Sequence, residues 1–418
     1  MKNRACLVFA VLFLVAFITT FNYGGCGGGG GSSSGSSAPA APAQATTPSP
    51  ANGATNVPIT ITQITYVSSL SDTKNIYFGT TNPPTILVTS LPTLSYGTTY
   101  YWRVDTTNSV GTTTGQVWSF TTEWQISTLV STGDVGNGTS IALDSNNKAH
   151  IVYHDWTTSN LMYMNNVTGS WASTIVDSVS VLTDTYIASI AIDSNNKVHI
   201  SYFINNTLKY ITNATGSWVS TVVDSVGTVG DYNSIAVDSN NKIYISYYNW
   251  STGDLNYATN VSGAWVAYIK DSTGDVGMYS SIAIDSTNKI HISYYDATNG
   301  DLKYTTNAPG FWQTQYFSAG DIGNVSSIAI DSNNKVHISY YDATNGNLEY
   351  ATNVSGSLLS YTIDSTGDVG WDTSIALDSN NKVHISYYDL TNGNLKYATN
   401  SSGSWVLSTV DSAGDVGG

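Results

Sequence analysis

The stretch Ser281-Ile-Ala-Ile-Asp285-Ser-Thr-Asn-Lys289-Ile-His291-Ile-Ser-Tyr294-Tyr295-Asp296-Ala-Thr-Asn-Gly300-Asp-Leu-Lys-Tyr304 decides the fold. It recurs, slightly altered, six times between Ser140 and Tyr397. A Trp-led segment and a Gly-Asp-Val-Gly loop complete each unit. Trp124, Trp171, Trp218, Trp265, Trp312, Leu358 and Trp405 mark the same point in successive units, at spacings of 47, 47, 47, 47, 46 and 47. Each unit reads as four strand-like runs separated by Asn, Asp and Gly clusters, which tolerate positive φ and make Asx turns. No run has a helical period.

Four antiparallel strands per unit of this length predict an all-β chain with a β-propeller, the units stacked in a ring because one blade cannot cover both faces of its sheet. In Ile290-His291-Ile292-Ser293-Tyr294-Tyr295 both alternating faces carry substantial side chains, as a sheet packed on two sides requires. First, second and third strands occur six times, but Trp-led fourth strands occur seven times. The reading is therefore six blades plus a surplus outer strand at 124–130. The alternative is seven blades, with the last three strands lying beyond this sequence and 124–130 completing the seventh. The hairpin Ile-Ala-Ile-Asp-Ser-x-Asn-Lys-x-His-Ile is similar to the inner hairpins of NHL-type and sialidase-like propellers, but lacks the Ser-x-Asp-x-Gly-x-Thr-Trp box of the latter.

Upstream the composition changes three times. Met1-Lys-Asn-Arg4 followed by an apolar run over 5–18 has the length of a signal-peptide core and is short for a membrane span. Gly24-Gly25-Cys26 then resembles a bacterial lipoprotein signal, which implies lipidation at Cys26, export, and attachment to the cell envelope or surface through lipid alone. Tyr23 departs from the aliphatic residue usual in such signals. The leader is assigned 1–25 and a flexible Gly/Ser/Pro/Ala linker 26–46. Residues 47–123 resemble bacterial fibronectin type III-like domains in Tyr77-Phe78-Gly79-Thr80, Gly97-Thr-Thr-Tyr100-Tyr101-Trp102-Arg103-Val104 and Trp118-Ser-Phe-Thr-Thr122. That implies a small antiparallel sandwich acting as a spacer, although no Trp appears at 64–66. The propeller takes 124–418.

The 418 residues carry 14 Lys and Arg against 29 Asp and Glu, a net charge of −15. Without basic clusters, nucleic acid is excluded as a partner. A sialidase-like reaction lacks its arginine cluster, because the repeats contain no arginine. A glycosidase needs two carboxylates in distinct environments, and Glu349 is the only glutamate of the repeats. No catalytic residue, cofactor or metal site is assigned. Calcium on the rim aspartates is the lesser alternative, since no dense Asp-x-Asp-x-Asp run appears. Histidines 150, 199, 291, 337 and 384, one per unit with Tyr244 in the remaining one, read as hydrogen-bonded core residues, and His154 as a packing substitute for Tyr.

Loop parity places the Asp-x-Thr-Asn-Gly-Asp loops (296–301, 342–347, 389–394) and the Gly-Asp-Val-Gly loops on one acidic rim. The Asp-Ser-Asn-Asn-Lys turns fall on the other. Function is sought where units disagree on the acidic rim. Trp156 and Trp250 replace Ala297, Ala343 and Leu390, while Tyr186, Tyr232, Tyr279 and Trp371 precede the first strands. Aromatic faces beside Asp296, Asp342 and Asp389 are what sugar recognition needs. The expected protein is a monomeric, non-catalytic surface protein binding a glycan or another surface protein. The alternatives are an adhesive envelope protein without a small ligand and a polysaccharide hydrolase.

Overall fold

A computed structural model describes residues 40–69, 73–178, 188–318 and 320–417. The leader, Cys26 and most of the linker therefore lie outside the described residues, as does Tyr186. Among the described residues there is no helix.

The repeat region forms six four-stranded antiparallel sheets in simple up-and-down order. Blades 1 to 6 span 135–178, 188–224, 229–271, 276–317, 322–364 and 369–411. The opening stretch belongs to blade 4, with strands Val276–Ile284, Ile290–Asp296, Asp301–Thr306 and Gln313–Phe317. Its two inner strands pair Ile284 with Ile290, Ile282 with Ile292 and Ser281 with Ser293. The turn between them is built by Asp285, whose Oδ1 accepts the amides of Thr287 and Lys289 while Asn288 takes a φ of 60°. Asn and Asp tolerate this left-handed conformation, and the turn carries one at its bend in every blade.

Packing between blades is repetitive. Ile282 and Ile292 of blade 4 are buried together with Leu255 of blade 3, and the same trio recurs one blade on as Ile328, Ile338 and Leu302. The amide of Ile328 donates to Ser281 Oγ of the preceding blade (3.2 Å), and Ile375 does the same to Ser327. Ser286 donates from its amide and hydroxyl to Asn334 Oδ1, stapling the Lys-bearing turns of adjacent blades.

Each core histidine bridges strands. His291 Nδ1 lies 2.6 Å from Tyr304 Oη, and its Nε2 lies 3.4 Å from Asp285. His150, His199, His337 and His384 repeat the arrangement. In blade 3, Tyr244 donates to Asp238 instead. Burial pushes His199, His291 and His337 below the ordinary imidazole value against the pull of their aspartates.

A second interblade device alternates in chemistry. Asp271 at the end of blade 3 accepts from Tyr294 and Lys303 of blade 4, and Lys303 also reaches the buried Asp296 at 2.8 Å. Asp364 meets Tyr387 and Lys396 in the same way, and Asp177 meets Tyr202 and Lys209. At the blade 4 to blade 5 junction the aspartate becomes Phe317, which stacks on Tyr340, and the lysine position becomes Glu349. Thr362 and Ser360 of its own blade then donate to Glu349.

The N-terminal unit has a sheet in which Ala54–Val57, Trp118–Thr122, Thr99–Thr107, Thr73–Gly79 and Leu87–Val88 lie side by side. A two-stranded ribbon, Thr46–Ser49 with Thr65–Val67, completes it. Trp102, Val104, Phe78 and Phe120 fill its core. No tryptophan is needed at 64–66, because Tyr66 lies over Trp102 with ring centroids 6.4 Å apart.

One expected element is absent. Residues 124–130 form no strand in the structure. Even so, Trp124 packs edge-on against Tyr397 of blade 6 at 5.0 Å, just as Trp405 meets Tyr350 and Trp265 meets Tyr210. The tryptophan finds its repeat position. Among the described residues no strand pairs with the backbone around it, and an unpaired extended segment has no ladder to hold it.

Candidate functional site

The second-to-third-strand loops and the interblade loops do meet on one rim. The amides of Ala297, Ala343 and Leu390 donate to the carbonyls of Asp275, Asp321 and Asp368, each at 2.9 Å. The second tyrosine of each Tyr-Tyr pair rises to this rim and donates to an interblade aspartate. Tyr248 reaches Asp275, Tyr295 reaches Asp321, and Tyr341 reaches Asp368. The loop acids are therefore built into the turns. Asp296, Asp342 and Asp389 are turned inward and almost completely buried. Each accepts the amide and side-chain nitrogen of the Asn three residues on.

The aromatics behave differently. Tyr232 and Tyr279 lie within the first strands Val229–Val237 and Val276–Ile284, not before them. Both strands bulge after their opening glycine, breaking register between Asp231 and Ser234 and between Met278 and Ser281. The bulge holds Tyr232 at φ 48° and Tyr279 at φ 52°. Bulky residues seldom occupy this region. Strain of this kind persists only where the surroundings enforce it.

That geometry assembles one cluster across blades 3 and 4. Tyr232 and Tyr279 are 4.4 Å apart between ring centroids, Tyr232 and Tyr248 are 6.2 Å apart, and Tyr248 meets Trp250 edge-on at 5.0 Å. Asp231, fully buried, anchors the group. Its Oδ2 accepts the Trp250 indole N–H at 2.8 Å, and its Oδ1 accepts the Tyr232 amide at 2.9 Å. Trp250 nevertheless exposes 47% of its surface. Burial first, then the Tyr279 hydroxyl and Asp231, hold the Tyr232 phenol well above its usual value. For Tyr248 it is burial and then Asp275. Both therefore remain hydrogen-bond donors through the neutral range.

The other aromatics predicted from the sequence form smaller groups. Trp156 meets His154 edge-on at 4.9 Å in blade 1, the same relation as Trp250 to Tyr248. Trp371 stands at the register of Asp231 rather than of Tyr232 and lies 5.1 Å from Tyr341. The structure thus brings Trp250, Tyr232 and Tyr279 together and leaves Trp156 and Trp371 in other blades. Sequence reading passed over Tyr248, a repeat residue, and Asp231. The signal for Asp231 was its departure from Met278 and Asn324 at the same place in the neighbouring units.

Among the described residues no three His, Cys, Asp or Glu side chains are arranged to hold a metal ion. Glu349 is buried, which raises its pKa despite donation from Thr362 and Ser360.

No family model matches the sequence, and no curated protein matches it. Among solved structures, this chain is similar to the SapL1 lectin in complex with alpha methyl fucoside, at 11% identity over 66% of this chain and 96% of that one, TM-score 0.48. It is similar to the Aleuria aurantia lectin at 13% identity over 66% and 97%, TM-score 0.46. The Fusarium graminearum alpha-L-arabinofuranosidase follows at 11% over 60% and 87%, TM-score 0.40. These are distant likenesses of chain path, and none of them bears on what this chain binds. The six antiparallel four-stranded sheets, each packed on the next, make the repeat region a β-propeller.

Proposed function

We propose that this chain is a non-catalytic glycan-binding protein of the cell surface, and that the aromatic cluster of Trp250, Tyr232 and Tyr279, seated on the buried Tyr248, is where a sugar docks. The observation that carries this is the Trp250–Asp231 bond. An exposed indole face is held in one orientation by a fully buried carboxylate. Flat aromatic faces stack on the C–H faces of sugar rings, and the half-buried Tyr232 and Tyr279 phenols offer partners to hydroxyl groups. Preorganising the indole removes part of the ordering cost of binding. That the Glu349 carboxylate is already occupied by two hydroxyls supports binding over hydrolysis. Lipidation at Cys26, the linker and the fibronectin-like unit would hold the propeller away from a membrane.

A glycan array probed with the full chain tests this. Binding to a defined glycan class that disappears in Trp250→Ala and weakens in Tyr279→Ala, both still folded, is the expected result. Undiminished binding in both variants refutes the assignment.

A further inference from the structure

Blade 3 differs from its siblings at the turn that carries Trp250. In blades 1, 5 and 6 the second strand ends in an aspartate paired with an asparagine at the start of the third: Asp155 with Asn160, Asp342 with Asn347, Asp389 with Asn394. In blade 3 the two residue types have traded places, and Asn249 faces Asp254. Asn249 still serves the turn, its Oδ1 accepting the Ser251 amide at 3.0 Å as Asp296 Oδ1 accepts that of Thr298. The acid moved to the third strand is released from that duty. Asp254 is only 6% exposed, and its carboxylate has no hydrogen bond or ion pair among the described residues. Burying a carboxylate without a partner is costly, and the asparagines of the other blades show that the fold does not require one there. Blade 4 has an acid at both places, Asp296 and Asp301, but Ala297 where the indole stands.

Asp254 lies beside the aromatic cluster. The Val276 amide donates to the Gly253 carbonyl at 2.9 Å, which stitches the Asp254 turn to the loop carrying Asp275. The half-buried Asp275 accepts the hydroxyl of Tyr248, on which the cluster is seated. Burial first, then Asp275, Asp254 and Asp231, push that phenol up, so all three charges bear on the cluster. No Lys or Arg among the described residues pairs with Asp254 or Asp275, and Lys303, the lysine of this junction, is held by Asp271 and Asp296.

From this exchange we infer that the saccharide docking on Trp250, Tyr232 and Tyr279 carries a free amino group, whose ammonium pairs with Asp254 and is reinforced by Asp275. The inference rests on the sugar-docking reading above and narrows its ligand to amino sugars. An ammonium brings the donors that the Asp254 carboxylate lacks, and charge-assisted bonds of this kind are roughly twice as strong as neutral ones. An N-acetyl group removes that charge, while a uronate or sulfate would face three carboxylates at once.

The test is a glycan array on which each N-acetylated hexosamine glycan stands beside its N-deacetylated form, together with uronate-bearing glycans. The full chain is applied at about pH 6, where the free amine is protonated. The expected result is binding at least about tenfold tighter to the deacetylated member of a pair, with no binding to uronates. The preference should shrink between about 0.1 M and about 1 M salt, as the Debye length falls from about 10 Å to about 3 Å. Asp254→Asn, which copies Asn347, should not lower the melting temperature and should erase most of the preference. Asp275→Asn keeps an acceptor for Tyr248 and should reduce the preference in part. Equal or tighter binding of the acetylated members, binding of uronates, or a preference untouched by Asp254→Asn would overturn the inference. So would binding that a chelator abolishes, because a bridging metal ion would then neutralise the acids. In each of those cases a loss of binding in Trp250→Ala would still sustain sugar docking at the cluster. Absence of binding to every glycan would remove the docking reading and this inference together.

Discussion

His291 shows what a single repeated residue does in this protein. It is buried, bonded to Tyr304 and placed beside Asp285, and its pKa is lowered because burial outweighs the aspartate. The folded state therefore favours the neutral ring. The unfolded chain binds more protons below about pH 6.5, so stability is fully present above that pH and drains away as pH falls toward the lowered folded values. His199 and His337 act in the same direction. Melting temperature should fall measurably between pH 7.5 and 5.5. His291→Tyr, which copies Tyr244 of blade 3, should flatten part of that fall, and an equal fall in wild type and variant would contradict the assignment. The junction between Phe317 and Glu349 offers a second residue-scale test. Glu349→Lys alone places a lysine beside an apolar ring with the buried Asp342 of its own blade but no interblade aspartate as partner, and Phe317→Asp alone leaves an acid facing Glu349. Phe317→Asp should cost on the order of 2–4 kcal/mol, and Glu349→Lys less, because Asp342 partly compensates the lysine. The double variant recreates the Asp271–Lys303 arrangement and should recover most of the loss in denaturant melts, whereas strictly additive losses would show that the two positions do not communicate.

Elements form here because local chemistry repeats, and that is why so much of the fold could be read in advance. Alternating Val, Ile and Tyr runs bounded by Asp-Ser-Asn-Asn-Lys turns dictate the strands, and the structure places them in that register, down to the buried histidines. The bulge in the first strand was not legible. It depends on a glycine at positive φ lying against the neighbouring blade's third strand, which no spacing within one repeat reveals. At Gly277, φ is 109° and a Cβ would sit 2.6 Å from Leu255 Cα. Gly277→Ala therefore meets both backbone strain and a clash with main chain that cannot yield. The strain alone costs about 1–3 kcal/mol, and the urea midpoint should drop accordingly. Gly263→Ala has the same sign of φ but open space around it, and should lose less. The segment at 124–130 was read as a strand because its tryptophan and spacing match. Pairing is a property of two segments, and none of the described strands pairs with it. The candidate site was half legible. Trp250, Tyr232 and Tyr279 stand out because they break the repeat, but their convergence required the bulge geometry. Asp296, Asp342 and Asp389 looked available and are instead consumed by their own turns.

At the scale of the whole molecule, the six blades are nearly interchangeable as scaffold, and the proposed function attaches to what they do not share. Position 250 makes the contrast direct. Trp250 and Leu390 occupy the same point in blades 3 and 6 and are similarly exposed, at 47% and 49%, yet only Trp250 is anchored by a buried carboxylate beneath it. The decisive measurement is a titration of the best-binding glycan into wild type, Trp250→Ala and Leu390→Ala at matched folding. Trp250→Ala should lose at least about tenfold in affinity, near 1.4 kcal/mol, and Leu390→Ala none. Equal affinity in all three proteins, or equal losses in the two variants, would contradict it.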